Sequence, residues 1–315
     1  MGRLVDGQWT TAPKPARKDG RFVRKPTQFR DFIRADGSTP YAAEAGRYHL
    51  YVSWACPWAH RTLITRALLG LEDAISLSIV DPFMGDDGWT FGPGPDLIED
   101  TVGGARFLHQ VYTRARADYT GRATVPVLWD RQRDTIVSNE SREIIRMFDR
   151  EMRAHARHDL KLAPPALHAE IDAAIDANYD TINNGVYRAG FARSQEAYEE
   201  AVQAVFAGLE RCEALLSRQP YLCGDRFTEA DICLFPTLLR FELVYYAHFK
   251  CNLRALRDHP NLWAYTRAIY QRPGVAEVCK LDQIKQHYYR SHESINPPRI
   301  VPGGPELDLW APHDR

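Results

Sequence analysis

The chain's clearest chemical feature is a single cysteine followed by proline, Cys56-Pro57, in the stretch Tyr51-Val-Ser-Trp-Ala-Cys-Pro-Trp-Ala-His-Arg61. A thiol becomes a good nucleophile where its anion is stabilised. A helix N-terminus does this through unpaired N–H groups and the positive end of its dipole. The flanking residues predict such a position. Arg47 to Val52 alternate as a short β-strand does, and Leu63, Ala67, Leu68 and Leu71 fall at helical spacing between Trp58 and Leu71. Pro57 suits a first helical turn, where its missing N–H costs nothing. Cys56 is therefore expected at a strand-to-helix junction as a reactive thiol, rather than as a buried apolar-like cysteine. His60, one turn on, could share its face as a proton donor, but a structural role is the expected one. Ala59 stands where a dithiol oxidoreductase would carry its second cysteine, so Cys56 has no resolving partner nearby in sequence.

Two further motifs could hold a charged peptide. Thr124-Val125-Pro126-Val127-Leu128-Trp129 reads as a strand that begins with a proline, and Thr135 to Val137 follows after a short turn as its antiparallel partner. Ser138-Asn139-Glu140-Ser141-Arg142-Glu143 then leads into Ile144, Ile145 and Phe148, so Ser and Asn are expected to cap a helix. Ser141 and neighbouring N–H groups can also hold a carboxylate, and Glu140 can pair with an ammonium.

The elements that must position these residues follow from the pattern around them. Ala74 to Val80 alternates as a second strand, so Cys56 sits inside a parallel βαβ unit. A long polar, glycine-rich insertion, 81–104, carries Gly88-Trp89-Thr90-Phe91; loops of this length in a compact domain are commonly functional or disordered. Residues 151–165 read as an interdomain linker. Beyond Ala166 the pattern is helical throughout: Ile171 to Val186 as one long amphipathic helix, Ala197 to Leu216 as another, and Thr228 to Leu239 as a third. Thr228 and Asp231 form a capping box, for which structure is a sufficient explanation. Asn261 to Tyr270 and Ala276 to Tyr289 supply further helices. The aromatic clusters Asn183-Asn-Gly-Val-Tyr187 and Gln286-His-Tyr288-Tyr289 are candidates for a substrate pocket.

Bulk properties narrow the function classes. With 44% apolar and 26% charged residues and a net charge of −1, the 315-residue chain has the balance of a soluble globular protein, and nothing global points to nucleic acid or an anionic membrane. The six cysteines, at 56, 212, 223, 233, 251 and 279, form no C-x-x-C pair or metal-like cluster. The pairs His155/His158 and His287/His292 lack the third ligand of a zinc site, so no metal is expected. Without a secretory signal or long apolar run, the expected setting is cytoplasmic and reducing. Residues 1–40 hold nine Lys or Arg against four Asp, with prolines at 13, 15, 26 and 40. They are expected to pack as an extended arm, with Phe22, Phe29, Phe32 and Ile33 to bury.

Ala55-Cys-Pro-Trp-Ala-His-Arg-Thr62 resembles the active-site segment of the cysteine-type glutathione transferases, and more narrowly that of the glutathionyl-hydroquinone reductases, the Xi class. The likeness runs from about Trp54 to Pro305. It implies a thioredoxin-like domain (41–155) after the arm (1–40), then an all-helical domain (160–295) and an extended tail (296–315). It implies a cis Val125–Pro126 bond that turns the Val125 N–H and C=O outward, so that glutathione can add on as an extra strand. Ser141 and Glu140 would take the paired charges of the γ-glutamyl group, Arg122 the glycyl carboxylate, and Trp89 would lie over the peptide. Tyr187 and Tyr288 match hydroquinone-binding tyrosines; between Tyr288 and Tyr289 chemistry alone does not choose, and Tyr288 is preferred. The implied function is glutathione-dependent reduction of glutathionyl-hydroquinones by a cytoplasmic homodimer, with glutathione as co-substrate. Two rivals remain at this point: a general glutathione-dependent thiol transferase or dehydroascorbate reductase, and a non-catalytic scaffold that would not need Cys56.

Overall fold

The structure, a computed structural model, describes residues 2–12 and 18–315. Of the arm's prolines, those at 13 and 15 lie outside the described residues. The chain divides into two compact units. One comprises Met1–Lys14, Pro26–Leu160 and Asp282–Ile300; the other comprises Pro15–Lys25, Lys161–Leu281 and Val301–Arg315.

The first unit opens with a hairpin, β1 (Arg3–Val5) and β2 (Gln8–Thr10), joined by Asp6-Gly7. Both turn residues have positive φ, 46° and 77°, which is what a two-residue hairpin turn requires. Leu4 exchanges backbone hydrogen bonds with Gly121, at 2.8 and 3.0 Å, and so fastens the hairpin to the unit's body. The main sheet is built from β3 (Tyr48–Val52), then helix α1 (Pro57–Leu69), β4 (Ile75–Ile79), helix α2 (Leu108–Ala115), β5 (Val127–Asp130), β6 (Thr135–Ser138) and helix α3 (Ser141–Arg150). Its strand order is β4-β3-β5-β6, with β3 and β4 parallel and the other pairs antiparallel. All five residues of the central β3 are buried, as expected of a strand paired on both edges and covered by helices. Gly70 ends α1 in the left-handed conformation at φ 64°, where its N–H reaches Ala67. The Val125–Pro126 bond is cis, as the family resemblance implied.

The second unit is helical. Where the sequence pattern predicts one long helix from Ile171 to Val186, the chain forms α4 (His168–Asn178), a π-wound turn (Tyr179–Asn183) and α5 (Gly185–Gly190). The register change turns Asn183 inward, where its amide donates to the Thr237 hydroxyl at 2.8 Å and the Cys233 carbonyl at 3.2 Å. Next come α6 (Gln195–Leu216), α7 (Glu229–Arg240) and α8 (Pro260–Tyr270). The expected capping box is present: Thr228 caps α7 and Asp231 reaches back to the Thr228 N–H at 2.7 Å. Arm residues join this unit through Gly20, whose carbonyl accepts from Arg193 N–H at 2.9 Å. The last helix, α9 (Leu281–Ser291), groups with the sheet unit rather than with the helices before it. None of the described helices is long and apolar enough to cross a membrane. The architecture is a thioredoxin-like sheet unit and an all-helical unit, as the fold-class expectation had it.

Candidate active site

Cys56 is the N-cap of α1, with extended backbone (φ −76°, ψ 121°) and Pro57 as the first helical residue. Its carbonyl accepts the first ladder bond, from His60 N–H at 2.9 Å. No acidic side chain occupies the first turn to offset the positive end of the helix. The half-buried thiol points to the loop before β5, where its S–H donates to the Val125 carbonyl at 3.5 Å. Strand β3, the α1 start and the cis Val125–Pro126 bond thus meet at one sulfur. His60 is fully buried in α1. Arg61 lies 4.5 Å over the Trp58 ring and donates to the Ser141 hydroxyl at 3.3 Å, joining the starts of α1 and α3.

The start of α3 differs from the expected capping by Ser138 and Asn139. Glu140 is the N-cap, and its carboxylate accepts from Arg142 N–H at 3.4 Å and from the Thr27 hydroxyl at 3.3 Å. Its extended backbone (φ −105°, ψ 110°) makes it the last non-helical residue, which moves the cap two residues on from Ser138. Ser138 Oγ instead accepts the Glu140 N–H at 3.1 Å. Asn139 exchanges bonds with Phe29 and donates to the Tyr112 hydroxyl at 3.0 Å. Tyr112 in turn donates to the Thr124 carbonyl at 2.7 Å, so Asn139 and Tyr112 fix the segment with Val125 that leads into strand β5, which starts at Val127 rather than at the expected Thr124. Glu140 remains half-buried, while Ser141 is buried at the first helical position. Arg122 is exposed just before this strand, and its carbonyl accepts from the Tyr119 hydroxyl at 3.3 Å.

Trp89 is buried in the long loop, and its carbonyl accepts the Leu108 N–H of α2 at 2.9 Å. Its indole stacks on His287 of α9, centroids 4.7 Å apart and planes at 21°. Tyr288 follows His287 and is almost fully buried, packed edge-on against the rings of His287 and His292. Tyr289 is also buried, and burial raises its phenol. Cys56, Trp89, Arg122, Val125, Pro126, Glu140, Ser141 and Tyr288 all belong to the sheet unit. Tyr187 belongs to the helical unit, on α5. There the Arg24 guanidinium lies 5.0 Å over its ring and donates to Asn184 Oδ1 at 3.0 Å, while Phe249 packs edge-on at 5.4 Å. Sequence reasoning missed Arg24, Thr27, Arg61 and His287 as neighbours of these residues. Only His287 carried a local signal, its spacing of four from Ser291 on one helix face. Among the described residues no group of three or more His, Cys, Asp and Glu is arranged to hold a metal ion.

Comparison with known proteins identifies the family. Residues 55–151 match the family model for the glutathione S-transferase N-terminal domain, and 195–268 that for its C-terminal domain. The chain is 50% identical to the glutathionyl-hydroquinone reductase YqjG of Escherichia coli (strain K12), over 100% of this chain and 98% of the relative. The glutathione-bound structure of YqjG superimposes with a TM-score of 0.91 at 49% identity, covering 100% of this chain and 99% of that one. A Xi-class glutathione transferase from Natrialba magadii superimposes with a TM-score of 0.95 at 51% identity, covering 100% and 96%. The chain belongs to the glutathionyl-hydroquinone reductase family, the Xi class of the glutathione S-transferases.

Proposed function

We propose that this chain reduces glutathionyl-hydroquinones to hydroquinones with glutathione as co-substrate. The Cys56 thiolate attacks the glutathionyl sulfur, forming the Cys56–glutathione disulfide. The carbon–sulfur bond of the conjugate breaks, its electron pair stays on the ring carbon, and that carbon takes a proton. A tyrosine hydroxyl, that of Tyr187 or Tyr288, supplies this proton. A second glutathione then attacks the mixed disulfide, releasing oxidised glutathione and restoring the Cys56 thiolate by ordinary thiol–disulfide exchange. With alanine at position 59, the protein itself offers no neighbouring thiol to resolve the intermediate.

The peptide part of the conjugate is read as an added strand on the Val125–Pro126 edge. Glu140 and Ser141 take the γ-glutamyl charges, Arg122 the glycyl carboxylate, and Trp89 covers the peptide. The observation that carries the proposal is the half-exposed thiol of Cys56 at a helix start, 3.5 Å from the Val125 carbonyl. The test is mass spectrometry after brief incubation with a glutathionyl-hydroquinone and no free glutathione. One added glutathionyl group on the peptide containing Cys56, removed by glutathione, is the expected result. An unmodified Cys56 alongside continued hydroquinone release overturns the mechanism.

A further inference from the structure

The insertion 81–104 and helix α9 are far apart in sequence, yet the sheet unit joins them at one point. His287 Nδ1 lies 2.7 Å from the Pro82 carbonyl oxygen. A carbonyl only accepts, so Nδ1 carries the hydrogen and His287 is the donor. One turn on, the Ser291 hydroxyl accepts the Met84 N–H at 2.9 Å. The Arg290 guanidinium covers the Phe83 ring at 5.0 Å. The loop's entry, Pro82 to Met84, is thus tied to one face of α9. The chain then turns back, and Trp89 lays its indole flat on the imidazole that holds Pro82. The next residue along α9 is Tyr288, packed against the same imidazole edge-on at 5.1 Å.

We propose that His287 is a positioning residue for the reaction, locking the Trp89 loop to the helix that carries Tyr288. One imidazole makes both attachments: its N–H fixes the loop entry, and its face seats the indole. Phenylalanine offers the face without the donor; asparagine offers a donor at the place of Nδ1 without the face. The proposal rests on the reading above, in which Trp89 covers the peptide of glutathione and Tyr288 meets the aromatic ring. It adds that these two contacts are set together, so that losing the clamp loosens peptide and ring at once.

The test uses the full chain with His287→Phe and His287→Asn, and with Trp89→Ala as control. In His287→Phe, amide hydrogen exchange at residues 82–91 is expected to quicken by about three- to tenfold, the scale of one lost hydrogen bond. KM for glutathione should rise and kcat on a glutathionyl-hydroquinone should fall by similar factors. The kcat on a simple glutathione mixed disulfide should stay at the parent value. His287→Asn should restore loop protection in part but not the aromatic rate. Unchanged loop exchange in His287→Phe overturns the clamp. Quicker exchange with unchanged kinetics, or equal kcat losses on both substrates, overturns the positioning role and leaves a packing residue. Unchanged glutathione affinity in Trp89→Ala overturns the placement of Trp89 over glutathione, independently of the exchange result.

Discussion

Cys56 stands half-exposed at a helix start in the sheet unit, whereas Cys212, Cys223, Cys233, Cys251 and Cys279 are buried in the helical unit. Burial pushes the thiols of Cys212 and Cys223 up to about 11 and that of Cys251 to about 12, and raises Cys279 further. A thiolate at these sites would lose its water, and the donors beside Cys212 (Arg211) and Cys223 (Thr228) do not offset that loss, so all four stay protonated near neutral pH. Cys56 keeps access to solvent and faces the positive end of α1 with no carboxylate in the first turn. The two regions hold the same side chain, and solvation with backbone dipoles sets the Cys56 thiol apart from the packing residues.

The same contrast separates two helix starts. At α7, Asp231 accepts from the N–H groups of Leu222 and Thr228, at 2.9 and 2.7 Å, and from the hydroxyls of Tyr265 and Thr228, at 2.7 and 3.2 Å. All of these groups are buried, and the carboxylate is fully used. At α3, Glu140 remains half-buried, and its hydrogen bonds from the Thr27 hydroxyl and Arg142 N–H are long, at 3.3 and 3.4 Å. A saturated, buried cap stabilises the fold; a looser one at the surface can take a ligand's charge.

The strongest test of the cysteine contrast is Cys56→Ser. A serine hydroxyl without a base is a poor nucleophile. Turnover of a glutathionyl-hydroquinone should fall on the order of 10⁴-fold, the scale of losing a covalent nucleophile, with glutathione affinity near normal by calorimetry. Cys212→Ala should do the opposite, costing about 1 kcal/mol of stability as other small core truncations do and sparing turnover. A serine variant within about tenfold of the parent rate would remove Cys56 from the mechanism.

Next in size is the buried cap. Asp231→Ala strands the Tyr265 hydroxyl and two backbone N–H groups, and should cost about 3 kcal/mol in denaturant unfolding. The glutathione affinity of the folded fraction should not change. A large affinity loss without a stability loss would place Asp231 in the ligand site.

Much of this contrast was legible in the chain itself. The Cys56 junction, strands β3, β4, β5 and β6 and the α7 capping box follow from period, proline placement and capping chemistry, all of them local. The β1–β2 hairpin was not among the expected elements, since residues 1–40 read as an extended arm. Its strands are only three residues long, and their anchor, Gly121, is more than a hundred positions away. The π-wound turn at Tyr179–Asn183 runs into Asn183-Asn184-Gly185, a poor helix-interior sequence, but that weakness does not specify a π turn. It belongs with the close packing of α5 on α6, where a Cβ on Gly185 would come within 2.9 Å of Val205 and one on Gly208 within 2.7 Å of Ile182. Pro236 argues locally for a break inside α7, yet the helix runs through it because all twelve of its residues are buried against neighbours. Arg24 over Tyr187 spans more than 160 residues, a distance at which spacing carries no information.

A smaller effect is expected from the tyrosines, and it separates the aromatic step from thiol exchange. Replacing Tyr187 and Tyr288 together by Phe should slow release of the hydroquinone by about a hundredfold, the lower range for a lost general acid. Reduction of a simple glutathione mixed disulfide needs only the thiolate and should keep its rate. Equal losses on both substrates would make the tyrosines structural and favour a general thiol transferase.

The smallest expected effect bears directly on the two helix starts. Ser141→Ala at α3 removes a hydroxyl that Arg61 now holds and that is read as a contact to the γ-glutamyl carboxylate. Glutathione affinity should weaken by about 1 kcal/mol, one hydrogen bond's worth, while the unfolding midpoint hardly moves, since Glu140 and not Ser141 caps the helix. Thr228→Ala at α7 should give the mirror result. It loses a cap bond to Ala230, costs about 1 kcal/mol of stability and leaves affinity alone. Calorimetry and denaturant titration on both variants give four numbers. If Ser141→Ala costs stability and not affinity, the start of α3 is a cap like that of α7, and the γ-glutamyl group must be held elsewhere.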